Sequence, residues 1–295
     1  MMLSGKGAMV WQLRNWKGGD PVSQAEHASA LGLDWVSLKV IDGTEERWRD
    51  GSVPGRHNFD LLPAAISALR GEGIEVALWG WTYGGWYVWK MGKRILVPSK
   101  DTARKEGLAT VRVLQKHGVV GFQVDAEREY RRAPDQGGRA QHYCLGLEMD
   151  PRVHSLCTYR FPLTQQPEFP VRPFATYMEH FSPQVYWEGD NRLWGGAIQL
   201  EMCVREYRKI GTQPITAIGP AYKGTGGWRP TKAQIMAFLT KAQELKLEGA
   251  GLFALDTSQP QELEALGEFQ WSIPMPGPIV TTLACVHCAH PELHA

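Results

Sequence analysis

Two acidic side chains near the middle of the chain have a spacing that would suit proton transfer. Residues 121–127 read Gly-Phe-Gln-Val-Asp-Ala-Glu. Alternate residues of a strand share a face, so Gln123, Asp125 and Glu127 would point one way and the apolar residues between them the other. Two neighbouring buried carboxyl groups push one pKa upward, which yields one protonated acid and one ionised partner. Hydrolysis of a glycosidic bond requires that division of roles.

A structural interpretation of the same residues competes with this one. Asp125 and Glu127 could pair with Lys39 or Arg160 in an ion network. The spacing also leaves the stereochemistry open. Alternate residues of a strand lie roughly 6.5–7 Å apart at their backbones, and side-chain direction allows either a retaining or an inverting separation.

The elements around this segment predict a barrel. Short apolar and β-branched runs alternate with helical patterns along the whole chain, and eight such units are typical of a single (β/α)8 barrel. The strands are expected at residues 9–13, 35–41, 75–81, 119–125, 154–159, 183–187, 215–219 and 250–255. An open, doubly wound sheet would want a glycine-rich phosphate turn after its first strand, which the sequence lacks.

Local signals place several of the intervening helices. Asp20 followed by Pro21 begins one helix, and a second runs from Asp60 to about Gly71. A third extends from about Ser99 to His117 and ends at Gly118. Thr231 and Gln234 have the spacing of a capping box. Residues 1–273 are therefore expected to form the barrel, and residues 274–295 a proline-rich linker with a short tail.

Polar and aromatic side chains collect at the predicted strand ends. Active sites of such barrels lie at the carboxyl ends of the strands, and aromatic faces stack on sugar rings. Convergence of these residues predicts an oligosaccharide-binding groove formed by Gln12, Lys39, Trp79, Trp81, Tyr83, Tyr159, Arg160, Gln184, Tyr186, Trp187, Tyr222 and Asp256. Each tryptophan could instead be a core residue. The loop of residues 84–90, rich in glycine and aromatics, is either a lid over the groove or packing against a helix.

Composition disfavours other classes of partner. The 295 residues carry a net charge of +1, with 32 basic and 31 acidic side chains, so nucleic acid is not expected as a partner. No apolar run reaches the roughly 18 residues of a membrane span. The first residues lack a secretion signal, so synthesis in the cytoplasm is expected. A substrate outside the cell would require lysis or delivery by a particle.

The five cysteines fall into two groups. Cys144, Cys157 and Cys203 are dispersed in apolar contexts and are predicted to be free core thiols. The tail contains Cys285, Cys288, His290 and His294, which have the residue types and spacing of a structural zinc site. A disulfide between the two tail cysteines, or no cross-link at all, are the alternatives. No cofactor is expected in catalysis.

The same residues resemble known families. Asp125-x-Glu127 is similar to the D-x-E signature of family 25 lysozymes and to the end of the family 18 chitinase motif. Residues 183–187 and 218–222 resemble chitinase strand ends. The broadest resemblance, over residues 8–257, is to uncharacterised bacterial and phage glycosidase-like barrels. It adds Tyr130 to the candidate binding residues.

Three departures limit what the resemblance implies. Val120 and Gln123 stand where the family 18 motif has its first acidic residues. Gln12 stands where a muramidase carries aspartate, and Ala254 stands where a chitinase carries tryptophan. We therefore expect a glycoside hydrolase acting on a cell-wall or related amino-sugar polysaccharide such as peptidoglycan, without a stricter specificity. Glu127 would be the acid, and Asp125 the nucleophile or the stabiliser of a substrate-derived intermediate. The alternative is a catalytically inactive barrel that binds glycan or forms part of a larger, for example phage, assembly.

Overall fold

The computed structural model describes residues 3–45, 58–119, 121–147, 150 and 152–272. Within them the chain forms ten strands: β1 (Gly5–Val10), β2 (Trp35–Asp42), β3 (Glu75–Thr82), β4 (Gly85–Lys90), β5 (Lys93–Pro98), β6 (Gly121–Ala126), β7 (Val153–Tyr159), β8 (His180–Gln184), β9 (Thr216–Pro220) and β10 (Gly249–Phe253). The proposed zinc ligands Cys285, Cys288, His290 and His294, and the linker before them, lie outside the described residues.

Eight of these strands close into a parallel barrel, as the alternating pattern predicts. The hydrogen-bonded order is β1-β10-β9-β8-β7-β6-β3-β2. The first and last strands pair directly, with Ala8 opposite Leu252, and β1 also pairs with β2. Parallel pairing brings the carboxyl ends of all eight strands to one rim.

Helices cover the outside of the barrel. They are α1 (Pro21–Ala30), α2 (Asn58–Gly71), α3 (Lys100–His117), α4 (Arg128–Arg132), α5 (Gln136–Leu147), α6 (Val171–Ala175), α7 (Gly195–Tyr207), α8 (Lys232–Glu244) and α9 (Pro260–Glu268). Short 3-10 turns span Leu13–Gly19, Thr225–Gly227 and Leu255–Thr257.

The predicted helix boundaries are confirmed where capping chemistry defines them. The Asp20 carboxylate accepts the backbone N–H of Ser23 at the start of α1. Gly118 ends α3 in the left-handed conformation that glycine adopts without strain. Thr231 and Gln234 form the capping box of α8.

Two layers of apolar side chains form the core. Phe122, Val124 and Ala126 of β6 pack outward with the helices, as the alternation predicts. A smaller cluster that includes Met9, Trp35 and Trp79 fills the barrel interior. Cys144, Cys157 and Cys203 are buried and form no disulfide within the described part of the chain, which confirms the prediction of core thiols.

The segment after β3 is a β-hairpin, whereas the sequence predicted a loop. Strands β4 and β5 pair antiparallel from Gly85 opposite Pro98 to Lys90 opposite Lys93. Met91 and Gly92 form its two-residue turn with positive φ angles of 50° and 71°, as hairpin turns of this length require. The hairpin rises from the rim where the barrel strands end.

Candidate active site

Asp125 and Glu127 lie at the carboxyl end of the fourth barrel strand, β6. Asp125 pairs in register with Trp81 on β3 and with Cys157 on β7. Glu127 follows directly after the strand and precedes the short helix α4. Both side chains line one cavity at the rim. The barrel therefore brings the two predicted carboxyl groups to the same place.

A glutamine from β8 joins the two carboxyl groups. The side-chain amide of Gln184 donates a hydrogen bond to Oδ1 of Asp125 at 2.9 Å. Gln184 also interacts with Glu127, and the two carboxyl groups interact directly with each other. Carboxyl groups in direct contact share a proton, so the pair titrates as a unit.

Burial dominates the electrostatics of this pair. It raises the pKa of Asp125 well above its ordinary range, and the neighbouring Glu127 charge raises it further, while Lys39 opposes the shift. Burial also raises the pKa of Glu127, and its interaction with Gln184 acts in the opposite direction. The sequence suggested an ionised Asp125 beside a protonated Glu127. Burial acts most strongly on the deeper Asp125, which opposes that division of charge within the pair.

Lys39 supplies the positive charge beside the carboxyl groups. Its ammonium group forms an ion pair with Asp42 at 2.9 Å; the Lys39 side chain is buried and that of Asp42 is half-buried. It lies 4.9 Å from the ring centroid of Trp79 and 5.9 Å from that of Trp81. Contact with an aromatic face stabilises a desolvated cation. The positive charge of Lys39 also acts electrostatically on Asp125 and lowers its pKa.

A cavity of about 810 Å³ opens above the carboxyl groups, and we term it the main cavity. Its volume is in the range of a ligand site. Tyr186 stacks against Phe253 at 6.2 Å and meets Tyr222 edge-on at 5.5 Å. Trp79, buried in the floor, meets Phe253 edge-on at 5.7 Å. Predicted site residues that line it are Lys39, Trp79, Trp81, Tyr83, Asp125, Glu127, Gln184, Tyr186 and Tyr222.

A second cavity of about 390 Å³, the side cavity, adjoins the first. It contains the predicted residues Tyr159 and Arg160. Glu127, Gln184 and Tyr186 line both cavities. Glu127 therefore stands at their junction.

Four predicted binding residues lie elsewhere, two of them in the core. Trp187 is fully buried, and its ring packs against Phe238 of α8 at 5.2 Å. Tyr130 is fully buried between barrel and helices, with its hydroxyl 3.2 Å from that of Thr82. Neither side chain can contact a glycan in the cleft, so their assignment as binding residues is corrected. Both follow their strands at points where the chain turns toward the helices.

The other two serve the backbone at the rim. Asp256 accepts the backbone N–H groups of Trp11 and Gln12 at 2.8 and 3.0 Å. Its carboxylate thus joins the chain beyond β10 to the chain beyond β1. Gln12 is buried and accepts a hydrogen bond from Asn15. Asp256 and Gln12 therefore hold the partly exposed Trp11 at the cavity edge rather than lining the cavity themselves.

Sequence reasoning missed several residues of the site. Phe253 ends β10 and forms the aromatic floor, one residue before the alanine noted as a departure. Arg94 reaches the main cavity from the hairpin, with its guanidinium 3.8 Å from the ring centroid of Tyr87. Predicting Phe253 would have required the register of β10, and predicting Arg94 would have required knowing that the hairpin exists. A local sequence signal for either is weak.

Three buried charged side chains hold the hairpin against the rim. Glu129 accepts hydrogen bonds from the Tyr87 hydroxyl at 2.7 Å and from the Trp81 indole at 3.2 Å. Glu106 of α3 accepts the backbone N–H groups of Tyr83 and Gly84. Arg139 of α5 donates to backbone carbonyl groups of the same turn and of α4. These contacts fix the orientation of Trp81 and the path of the chain after Glu127.

Residues 3–45, 58–119, 121–147, 150 and 152–272 contain no group of three or more His, Cys, Asp and Glu side chains that could hold a metal ion. No helix among the same residues is long and apolar enough to span a bilayer.

Known proteins resemble the chain in fold but not in sequence. No protein-family model matches the sequence, and no curated protein matches it either. A chitinase from Chromobacterium violaceum superimposes with a TM-score of 0.62 at 13% identity, over 90% of this chain and 99% of that one. A family 18 chitinase from Pseudoalteromonas aurantia gives 0.61 at 14% identity, over 89% and 99%.

A third similar structure is the spore cortex-lytic enzyme SleL from Bacillus megaterium. Its TM-score is 0.58 at 13% identity, over 90% of this chain and 74% of that one. An endo-β-1,4-mannanase from Thermotoga petrophila matches with a score of 0.61 at 12% identity, over 91% and 76%. The chain therefore has the barrel fold of glycoside hydrolases, and at these identities the likeness concerns the fold.

Proposed function

We propose that this protein is a glycoside hydrolase that cleaves an amino-sugar polysaccharide, with Glu127 as the proton donor. The observation that carries the proposal is the directly interacting pair of Asp125 and Glu127 in an aromatic cavity at the strand carboxyl ends. A raised pKa keeps a carboxyl group protonated near neutral pH, as a general acid requires. Aromatic walls provide the apolar faces on which sugar rings stack.

Glu127 is the better donor to the glycosidic oxygen because of where it lies. It lines both cavities, whereas Asp125 lines only the main one among the described residues. A polysaccharide that spans the two cavities would place the bond between successive sugars beside Glu127. Asp125 lies one step deeper on the same face of β6. Transfer of their shared proton to Glu127 would prepare the acid when substrate binds.

The short separation between the two carboxyl groups bears on the role of Asp125. An inverting pair stands about 6.5–9.5 Å apart and a retaining acid–nucleophile pair about 5–5.5 Å, on opposite sides of the bond. Groups that interact directly with each other approach from the same side. The short separation therefore supports a role for Asp125 in stabilising a substrate-derived intermediate rather than in direct attack on the sugar.

The reaction then uses the 2-acetamido group of the sugar as nucleophile. Glu127 protonates the glycosidic oxygen as the bond to C1 breaks, and the acetamido oxygen forms a bond to C1. Asp125, now ionised, accepts the acetamido N–H and stabilises the cationic ring. Water, deprotonated by Glu127, then opens this ring at C1. The sequence of two inversions retains the configuration of the anomeric carbon.

The test is a turnover assay on chitin oligomers and on peptidoglycan fragments. Wild-type protein should release reducing ends from at least one of them, and Glu127→Gln should be slower by about 10²–10⁴-fold, the contribution of general acid catalysis. Glu201→Gln is the matched control, since that exposed glutamate on α7 pairs with Arg205 away from the cleft. Binding without turnover by wild-type protein would favour the alternative of an inactive glycan-binding barrel.

A further inference from the structure

The side cavity contains a guanidinium group, that of Arg160, for which the described residues provide no ion-pair partner. Arg160 is half-buried, and burial lowers its pKa. Its guanidinium lies 5.4 Å from the ring centroid of Phe161. Among the described residues no carboxylate forms an ion pair with Arg160, and no hydrogen bond from its guanidinium to another residue is found there. Desolvating a cation without a partner costs free energy, so such a group signals a ligand that completes it.

The other charges around the side cavity do not neutralise Arg160. Asp190, the acidic group whose charge reaches Arg160, is held in an ion pair with Arg192 at 2.7 Å. Glu127 also lines the cavity, but it shares a proton with Asp125, so at most one negative charge is divided between the two carboxyl groups. A second cation, Arg131, lies 5.9 Å from the ring centroid of Tyr159 and donates to Gln166. The side cavity is therefore electropositive.

The geometry of the junction fixes which part of a glycan meets Arg160. Glu127, Gln184 and Tyr186 are shared by the two cavities. A chain with its scissile oxygen at Glu127 would place one neighbouring sugar in the aromatic main cavity and the other beside Arg160. The planar guanidinium fork binds a carboxylate through two parallel hydrogen bonds.

We propose that Arg160 selects glycans that carry a carboxylate on the sugar occupying the side cavity. The inference rests on the proposed function only in that the same cleft binds the polysaccharide. It assigns the substrate to the acidic amino-sugar polymers rather than to neutral ones such as chitin. Arg160 is thus a residue that determines specificity and not one that transfers the proton.

Binding measured by calorimetry tests this without any need for turnover. The probe is a tetrasaccharide of alternating N-acetylglucosamine and N-acetylmuramic acid with free lactyl carboxylates. Its methyl ester and chitotetraose are the neutral counterparts. Titrated into Glu127→Gln protein, which leaves the ligand intact, the acid should bind at least about tenfold more tightly than either neutral oligomer. This difference should shrink as salt concentration rises.

Variants of Arg160 in the same background complete the test. Arg160→Gln should abolish the preference by weakening binding of the acid alone, and Arg160→Lys should keep part of it. Arg205→Gln removes one positive charge from the exposed face of α7 and should leave the preference unchanged. A fragment whose lactyl group is amidated by a stem peptide distinguishes the two sources of carboxylate. If that fragment binds tightly and Arg160→Gln removes the tight binding, Arg160 binds a carboxylate of the stem peptide. That result would overturn the assignment to a carboxylate on the sugar.

The outcomes separate this inference from the proposed function. Equal affinity for acid and ester, no measurable binding of the acid, or an equal loss for all ligands in Arg160→Gln would overturn the selection by Arg160. Turnover by wild-type protein with no preference would leave the hydrolase standing and reject the inference. A preference for the acidic ligand without turnover would support the inference about Arg160 and reject the proposed hydrolase activity.

Discussion

The side-chain amide of Gln184, the last residue of β8, donates a hydrogen bond to Oδ1 of Asp125 at 2.9 Å and lowers the pKa of Glu127 as well. A neutral donor thus stabilises the ionised form of a pair that burial keeps protonated. The proposed reaction depends on that balance, because in it the pair must hold one proton to act as an acid and release it to act as a base.

Replacing Gln184 by Leu should move the pH profile upward. The amide of Gln184 lowers the pKa of both carboxyl groups, so its loss raises the pH at which each releases its proton. Both limbs of kcat/KM against pH should therefore shift to higher pH, and activity on the acid side should fall. Gln243→Leu on α8 is the control. A lower maximum with unmoved limbs would mean that Gln184 only positions substrate.

The product should retain the anomeric configuration, and the substrate should require a 2-acetamido group. Both follow from the proposed role of Asp125 as stabiliser of an intermediate formed by the substrate's own acetamido group. NMR of the first product formed reports its anomer. Mannan and cellulose oligomers, which lack the acetamido group, should not be hydrolysed. An inverted product, or cleavage of mannan at a similar rate, would assign Asp125 a different role.

Trp81 and Trp187 should respond differently to replacement by alanine. Trp81 lines the main cavity and is partly exposed, so its loss should weaken oligosaccharide binding by about tenfold, or roughly 1.4 kcal/mol. Trp187 is fully buried, so its loss should lower the free energy of unfolding by about 3–5 kcal/mol. Trp86→Ala, on the exposed outer side of the hairpin, should do neither. Calorimetric titration and denaturant unfolding separate the two effects.

The contrast between these tryptophans shows what local sequence can and cannot predict. Alternation along β6 predicted the faces of Asp125 and Glu127 because a strand has a strict two-residue period. The sixth barrel strand was expected at residues 183–187 but spans His180–Gln184. That shift places Trp187 beyond the strand, where contact with the distant Phe238 decides its orientation. Such a contact has no local signal.

The buried charged residues that hold the hairpin could not be predicted from the sequence for the same reason. Glu106 and Arg139 lie on helices that follow later in the chain, and each binds the turn after β3. Their function depends on how those helices pack. The hairpin was missed because its turn is Met91-Gly92 rather than the Asn-Gly or Asp-Gly that marks such turns in sequence.

Glu106 should make stability depend on pH. Burial raises its pKa from 4.5 to about 7, so the unfolded chain loses this proton at lower pH than the folded protein does. The stability that the protonated group supports is therefore full below about pH 4.5 and is lost as the pH rises through 7, by on the order of 3 kcal/mol.

Unfolding of wild-type protein and Glu106→Gln across this range measures the effect. The wild-type free energy of unfolding should fall relative to that of the variant between pH 4.5 and pH 8. A difference that stays constant, or that grows with pH, would show that the hydrogen bonds from Thr82, Tyr83 and Gly84 outweigh burial and keep the carboxylate ionised.

The role of Glu127 is the central claim, and the dependence on leaving group tests it most directly. A general acid matters for a sugar leaving group, which must be protonated, and hardly at all for a dinitrophenolate, which leaves as an anion. The measurement is kcat/KM of wild-type protein and Glu127→Gln on a natural oligosaccharide and on the dinitrophenyl glycoside of the same sugar. If Glu127 is the general acid, kcat/KM of Glu127→Gln should fall by about 10²–10⁴-fold on the oligosaccharide and hardly at all on the aryl glycoside. Equal losses on both substrates would contradict that role.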